Sequence, residues 1–321
     1  MKKIILDFPK QFKIGLEIAK NIRIKDKFDK VLICGMGGSA LPGDILEMWL
    51  EDKKINIGLD IHRNYGLPYQ IDKKYLIICI SYSGNTEETI SSFMEARKKK
   101  IKTIAITSGG ELLELCQRHE VPFAKIPQGY QPRMALGFQF SALIKILVNS
   151  GIIKNNLENV LALEKNLKPL KLESQAKIIA KKIINKIPIV YTSDKFRKLA
   201  RIWKIKFNES AKLPAFYNYF PELNHNEMTG FVNLQTKFYV IFLRDSAENT
   251  KILKRMKLTA EILKQKMIDS SFIDLSGKEI LYKIFSNILL SDWVSYYLAL
   301  KYKVDPLSVN LQEEFKKKLK R

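Results

Sequence analysis

The residues best suited to chemistry lie in the stretch 75–89, which reads YLIICISYSGNTEET. Its first part, Leu76–Ile80, is a continuous apolar run rich in β-branched residues, which is typical of a strand buried on both faces. Three hydroxyl side chains follow before a helical pattern begins: Ser81, Ser83 and Thr86. Unpaired N–H groups and the positive dipole end at a helix start attract anions. The pattern therefore predicts a phosphate site, although the same residue types also suit an ordinary N-cap.

A second polar loop follows the apolar segment Lys30–Cys34 and reads GMGGS at 35–39. It lacks the GxGxxG spacing of a dinucleotide site, but the backbone at Gly38 and the hydroxyl of Ser39 can still approach a ligand. Loops at the carboxyl ends of parallel strands gather at one edge of the sheet. We therefore expect Ser39 to lie beside Ser81.

Glu209 is a candidate general base at the end of a helix predicted over Lys195–Asn208. There it faces the negative end of the helix dipole, and it shares a helix face with Ile202 and Ile205. Both features would increase the basicity of the carboxylate, as proton abstraction requires. The alternative is an exposed glutamate just past a frayed helix end.

Arg133 and His225 are two further candidates. Arg133, in the segment QPR at 131–133, either stabilises a developing oxyanion or lies on the surface, which is the commoner position for arginine. His225 stands in a predicted polar loop, where functional residues concentrate, between Asn224 and Asn226. We expect the two asparagines to orient its ring, although a single histidine is more often structural.

Composition excludes several classes of protein. The 321 residues are 46% hydrophobic, which describes a folded protein, and the formal net charge of +22 favours anionic partners. The lysines are spread along the chain without a nucleic-acid-binding motif, so no specific nucleic acid is expected. Three scattered cysteines and three histidines predict neither disulfides nor a metal site. The N-terminal segment has too few apolar residues to predict a signal peptide, and no apolar run approaches the roughly 20 residues of a membrane span. We therefore expect a cytoplasmic protein.

Strands and helices alternate along the chain, which predicts α/β architecture with parallel sheets covered on both faces. The predicted strands of the first half are Lys30–Cys34, Ile55–Ile61, Tyr75–Ile80, Lys102–Ile106 and Pro122–Ile126. Those of the second half are Ile187–Tyr191, Lys237–Leu243 and Ser271–Leu275. A long helix over 133–150 closes the first half. We predict two doubly wound domains, 1–152 and 153–321. The second has the organisation expected of a diverged copy of the first.

Five motifs in this order resemble a known family. They are CGMGGSALPGD at 34–44, SYSGNTEET at 81–89, QPR at 131–133, FNES at 207–210 and ELNHNE at 222–227. The chain resembles the bifunctional phosphoglucose/phosphomannose isomerases of archaea and some bacteria, which are built from two sugar-isomerase (SIS) domains. The second motif alone indicates only a SIS domain, whereas the last two are more specific.

The resemblance implies a role for each candidate. The sugar phosphate would be bound by Gly38, Ser39, Ser81, Ser83 and Thr86. Arg133 would bind substrate and face the intermediate, and Glu209 would move a proton between C2 and C1. His225 would assist ring opening from the partner subunit of a homodimer.

The family also uses a lysine in its C-terminal helix, after a turn matched here by Asp305-Pro306. Lys316 fits that role better than Lys317 or Lys318, because it flanks a stripe that we expect to be buried. The stripe consists of Leu311, Phe315 and Leu319. We expect Ser308, before this helix, to supply a hydroxyl or a water site near the C2–C3 bond.

The implied activity is reversible isomerisation of glucose 6-phosphate and mannose 6-phosphate with fructose 6-phosphate through a cis-enediolate. It belongs to glycolysis and gluconeogenesis, takes sugar phosphates as its partners and uses no cofactor or metal. A non-catalytic sugar-phosphate sensor is the alternative, because SIS domains also serve in regulators.

Overall fold

The structure, a computed structural model, describes residues 1–319. It contains two compact units. The N-terminal unit consists of residues 7–167 with 279–281, and the C-terminal unit consists of residues 1–6, 168–278 and 282–319. The domain boundary predicted between residues 152 and 153 stays a prediction. None of the described helices is long and apolar enough to cross a membrane.

The N-terminal unit is built on a five-stranded parallel sheet of order β2-β1-β3-β4-β5. Its strands are β1 (Lys30–Cys34), β2 (Gly58–His62), β3 (Tyr75–Ser81), β4 (Thr103–Thr107) and β5 (Phe123–Lys125). Its helices are α2 (Lys10–Ile18), α3 (Gly37–Asp52), α4 (Glu87–Lys98), α5 (Gly110–Arg118), α6 (Leu136–Asn149) and α7 (Leu157–Asn166), whereas α1 (Lys2–Asp7) lies almost entirely in the C-terminal unit. Every residue of β3 is buried, as its continuous apolar run predicts.

The C-terminal unit is built on a four-stranded parallel sheet of order β7-β6-β8-β9. Its strands are β6 (Ile187–Ser193), β7 (Phe216–Phe220), β8 (Phe238–Arg244) and β9 (Asp269–Asp274). The remaining helices are α8 (Pro169–Ile183), α9 (Arg197–Glu209), α10 (Thr250–Gln265), α11 (Ile280–Tyr302) and α12 (Asn310–Leu319). The sequence analysis missed β7. It is an edge strand that exposes Phe216 and Tyr217, so it lacks the apolar run of a central strand.

The two sheets share one strand order. In each, the first strand along the chain lies between the second and the third, and the fourth strand lies beyond the third. All recorded strand pairs are parallel, which confirms the predicted α/β class with two parallel-sheet units. The shared order supports the interpretation of the second half as a diverged copy, and it makes β8 the counterpart of β3.

Two local expectations were wrong. Helix α6 begins at Leu136, because Pro132–Met134 form a separate 3-10 turn before it. The apolar stripe of α12 is exposed within the single chain: Leu311 is 80%, Phe315 61% and Leu319 57% exposed. A helical pattern indicates which residues share a face, but it does not supply the surface that would cover them.

Candidate functional site

The loop after β1 approaches the segment 131–133 closely. A Cβ atom on Gly38 would lie 2.6 Å from the backbone nitrogen of Arg133, so only glycine permits this approach. The neighbouring Ser39 is buried, and its Oγ accepts a hydrogen bond from the backbone N–H of Tyr82 at 3.0 Å. Because Tyr82 directly follows β3, this bond joins the loop after β1 to the loop after β3.

The loop after β3 contains a hydroxyl network. Ser81 Oγ donates to Thr86 Oγ1 at 2.9 Å and accepts from the backbone N–H of Gly84 at 3.1 Å. Thr86 is the N-cap residue of α4, yet its side chain makes no capping hydrogen bond. The hydroxyl group of Thr86 therefore does not act as an ordinary N-cap. Ser81 orients it instead, and the first N–H groups of α4 stay available to another acceptor.

Glycine is required where this loop meets the loop after β4. Gly84 has φ +73°, and a Cβ atom there would lie 1.7 Å from the carbonyl oxygen of Gly109. Ser83, the residue before it, is exposed, and its Oγ accepts from the backbone N–H of Asn85 at 3.2 Å. The loop thus has a fixed shape, with one hydroxyl group facing solvent.

Arg133 is completely buried, so the alternative of a surface position is wrong. It lies in the 3-10 turn Pro132–Met134, which also brings its backbone beside Gly38. A guanidinium group keeps its charge when it is buried. The N-terminal unit therefore places a permanent positive charge in the segment that contacts the first glycine loop.

Sequence reasoning missed the ion pair between Asp44 and Arg63. The carboxylate of Asp44 in α3 is fully buried and accepts from Arg63 Nη2 at 2.6 Å. Arg63 directly follows β2, so the pair connects that strand's loop to the helix that begins with Gly37 and Gly38. The position of Asp44 at the end of the motif CGMGGSALPGD was the available signal.

Glu209 is the last residue of α9, as expected, and it is half-buried. It lines a pocket of about 690 Å³ within the C-terminal unit, together with Ser308 and Lys212. Lys212 Nζ donates to the carbonyl oxygens of Glu209 and Ser308, each at 2.5 Å. This lysine therefore holds the end of α9 against the turn that precedes α12, and it brings Glu209 and Ser308 to one pocket.

His225 is exposed at the end of the 3-10 turn Glu222–His225. Its neighbouring asparagines do not orient the ring, contrary to expectation. Asn224 Nδ2 donates to Thr259 Oγ1 at 3.0 Å, and Asn226 Nδ2 donates to Glu222 Oε1 at 2.9 Å. Both amides bond to other side chains instead, and the imidazole is presented to solvent.

Glu227, the final residue of the motif ELNHNE, anchors this turn to the sheet. Its carboxylate accepts from the hydroxyl of Tyr191 in β6 at 2.6 Å and from Asn218 Nδ2 in β7. Burial, together with the charge of Glu227, raises the pKa of Tyr191, so that hydroxyl remains a donor. The sequence analysis assigned Glu227 no role, although it lies within the motif.

Lys316, Lys317 and Lys318 all lie on the exposed helix α12. Lys318 is paired with Glu314 at 2.7 Å. The stripe that was expected to distinguish Lys316 is itself exposed. The choice of Lys316 therefore stays a prediction.

Two domain matches define the class of protein. Residues 25–115 match the SIS domain, and residues 172–319 match the bacterial phospho-glucose isomerase C-terminal SIS domain. The fold is similar to that of a putative phosphosugar isomerase from Clostridium difficile 630, with a TM-score of 0.74 and 14% identity over 96% of this chain and 94% of that one. The protein is therefore a two-SIS-domain α/β protein.

Full-length relatives identify the family. The chain is 35% identical to the bifunctional phosphoglucose/phosphomannose isomerase of Aquifex aeolicus, over 99% of this chain and 98% of the relative. It is 37% identical to the protein of the same name in Caldicellulosiruptor bescii, again over 99% and 98%. The chain belongs to the bifunctional phosphoglucose/phosphomannose isomerase family.

The contact at Gly84 generates a stability prediction. We expect Gly84→Ala to lower the free energy of unfolding by about 3 kcal/mol or more, because a clash adds to the roughly 1–2 kcal/mol cost of a left-handed alanine. Gly129→Ala is the matched control, since Gly129 has φ +90° with nothing within 4 Å of the added Cβ. Urea denaturation measures both. Equal losses for the two variants would show that the contact with Gly109 is unimportant.

Proposed function

We propose that this protein interconverts glucose 6-phosphate and mannose 6-phosphate with fructose 6-phosphate through a cis-enediolate. The observation that carries the proposal is the hydrogen bond that joins the glycine loop after β1 to the hydroxyl-rich loop after β3, in a chain of this isomerase family. Sugar-phosphate isomerisation agrees with the names of the relatives. The order of bond changes and the residue roles given below are our inference. We also infer that the enzyme acts in the cytoplasm, in glycolysis and gluconeogenesis.

The phosphate group would bind at the edge of the N-terminal sheet. A phosphate oxygen can accept from the first N–H groups of α4 and from the hydroxyl of Thr86, which Ser81 orients. Ser83 presents a further hydroxyl to solvent. Gly38 and Ser39 shape the adjoining loop and keep it close to the loop after β3.

The reaction requires a base that takes a proton from one carbon and returns it to the next. We assign this role to Glu209, which removes the C2 proton of the open aldose and delivers it to C1. The electron pair of the broken C–H bond becomes part of the enediolate, and a proton passes from the C2 hydroxyl to O1 as the carbonyl moves from C1 to C2, so no electron leaves the substrate. Arg133 would stabilise the negative oxygen of this intermediate. His225 and Lys316 would move protons during ring opening.

This scheme involves no redox cofactor, because the aldose and the ketose are at the same overall oxidation level. A positioned base and a cationic partner for the enediolate supply the required chemistry without a metal ion. Ser308 would lie near the C2–C3 bond, since it lines the same pocket as Glu209. Rotation about that bond exposes either face of C2, which permits both C2 epimers to react.

A homodimer is the assembly that we propose. The apolar stripe of α12 is exposed in the single chain, and contact with a second copy would cover it. His225 also stands at the surface, from which it can reach a partner subunit's substrate. These exposed features support the proposal.

Glu209→Gln tests the catalytic role. The substitution keeps the shape of the side chain but removes the base, so we expect kcat to fall by about 10²–10⁴-fold for both aldoses. KM should change little, since the phosphate contacts remain. Coupled assays with EDTA present measure both activities. If the wild-type protein showed no turnover, the alternative of a non-catalytic sugar-phosphate sensor would be favoured. Loss of activity in the presence of EDTA would contradict the metal-free scheme.

Subunit complementation tests the proposed dimer. Glu209→Gln and His225→Asn should each be nearly inactive alone. If His225 serves the partner's substrate, a mixed dimer has one intact site, and random equimolar mixing should restore about a quarter of wild-type activity. Co-purified mixtures are compared with each variant alone. No restored activity in verified mixed dimers would place His225 with the substrate of its own subunit.

A further inference from the structure

A pocket of about 850 Å³ lies at the carboxyl ends of β8 and β9, within the C-terminal unit. None of its lining residues has a role in the proposed reaction. The carboxyl edge of a parallel sheet is the usual position for ligands, and this volume lies in the range of small-molecule sites. The strand β8 is also the counterpart of β3, whose loop we propose as the phosphate site.

Arg244 is the most fixed cation of this pocket. Its Nε and Nη2 donate to the two carboxylate oxygens of Asp274 at 2.7 and 3.2 Å, and its guanidinium lies 4.7 Å from the ring centre of Phe272. The two hydrogen bonds use two of the five N–H groups that an arginine carries. Asp274 thereby orients the guanidinium, and donors remain for a further anion.

Two lysines add positive charge on the facing helix. Lys254 and Lys257 both line the pocket and stand three residues apart on one face of α10. Lys257 contacts Glu261 at 4.0 Å, but its side chain is 78% exposed, so this pair neutralises it weakly. With Arg244 and Asp274, the lining groups carry three positive charges and one negative charge.

We propose that this pocket binds a small phosphorylated metabolite at a second site, separate from the loops after β1 and β3. Arginine and lysine together are the usual partners of a phosphate group, and the hydroxyls of Ser246 and Ser276 provide further donors. The volume exceeds that of a phosphate alone. The remainder of the metabolite, a sugar or a nucleoside, would lie over the apolar side chains of Leu253 and Phe272.

Calorimetric titration of the full-length protein tests this site with fructose 6-phosphate and AMP in separate arms. For one of these probes we expect a binding event that persists in the double variant Ser81→Ala/Thr86→Val. Lys254→Ala/Lys257→Ala should weaken this event about tenfold or more, since hydrogen bonds to charged groups are lost. Both lysines are exposed, so the variant should fold normally. The arm that shows the event identifies a sugar phosphate or a nucleotide as the ligand.

Lys264→Ala/Lys266→Ala is the matched control, because it removes the same charge from exposed positions of the same region outside the pocket. It should leave the event unchanged. If the control variant weakened the binding event equally, the binding would depend only on the overall positive charge of the protein, and the proposal would be overturned. Absence of any event for both probes in Ser81→Ala/Thr86→Val would also overturn it. Neither result bears on isomerase turnover, which is assayed separately.

Discussion

The hydrogen bond from the backbone N–H of Tyr82 to Ser39 Oγ is the contact on which the candidate phosphate site depends. It joins the loops that leave two neighbouring parallel strands, β1 and β3. Because Ser39 accepts this bond, the hydroxyl pair Ser81–Thr86 is held beside the first glycine loop. The close approach at Gly38 then brings Arg133 to the same edge of the sheet.

The C-terminal unit uses the same strand order for different chemistry. Its candidate acid and base groups stand at the end of a helix and in a turn, outside the loop equivalent to the phosphate loop. Lys212 fixes the backbone around Glu209, and Glu227 fixes the turn that carries His225. Two sheets of the same strand order thus provide similar frameworks, and the function of each depends on the side chains at its loops.

The sequence predicted features that depend on local pattern. The buried strand β3, its hydroxyl-rich turn and the position of Glu209 at a helix end all follow from residues close together in the chain. The burial of Arg133 did not follow, because it depends on packing of the 3-10 turn Pro132–Met134 against a distant glycine loop. The bonds of Asn224 also involve partners that the linear pattern does not indicate.

The exposed stripe on α12 shows a second limit. Helical spacing identified an apolar face, but the single chain leaves Leu311, Phe315 and Leu319 largely exposed. Whether such a face is covered depends on a surface outside the helix, and sequence periodicity contains no information about that surface.

The most direct test of proton transfer by Glu209 is isomerisation of fructose 6-phosphate in D₂O, followed by proton NMR of the product. A carboxylate that carries the proton between carbons exchanges it with solvent in part of the turnovers. The account predicts deuterium at C2 of the glucose 6-phosphate formed by the wild-type protein. Product formed at the full rate without any deuterium at C2 would indicate direct hydride transfer and would contradict it.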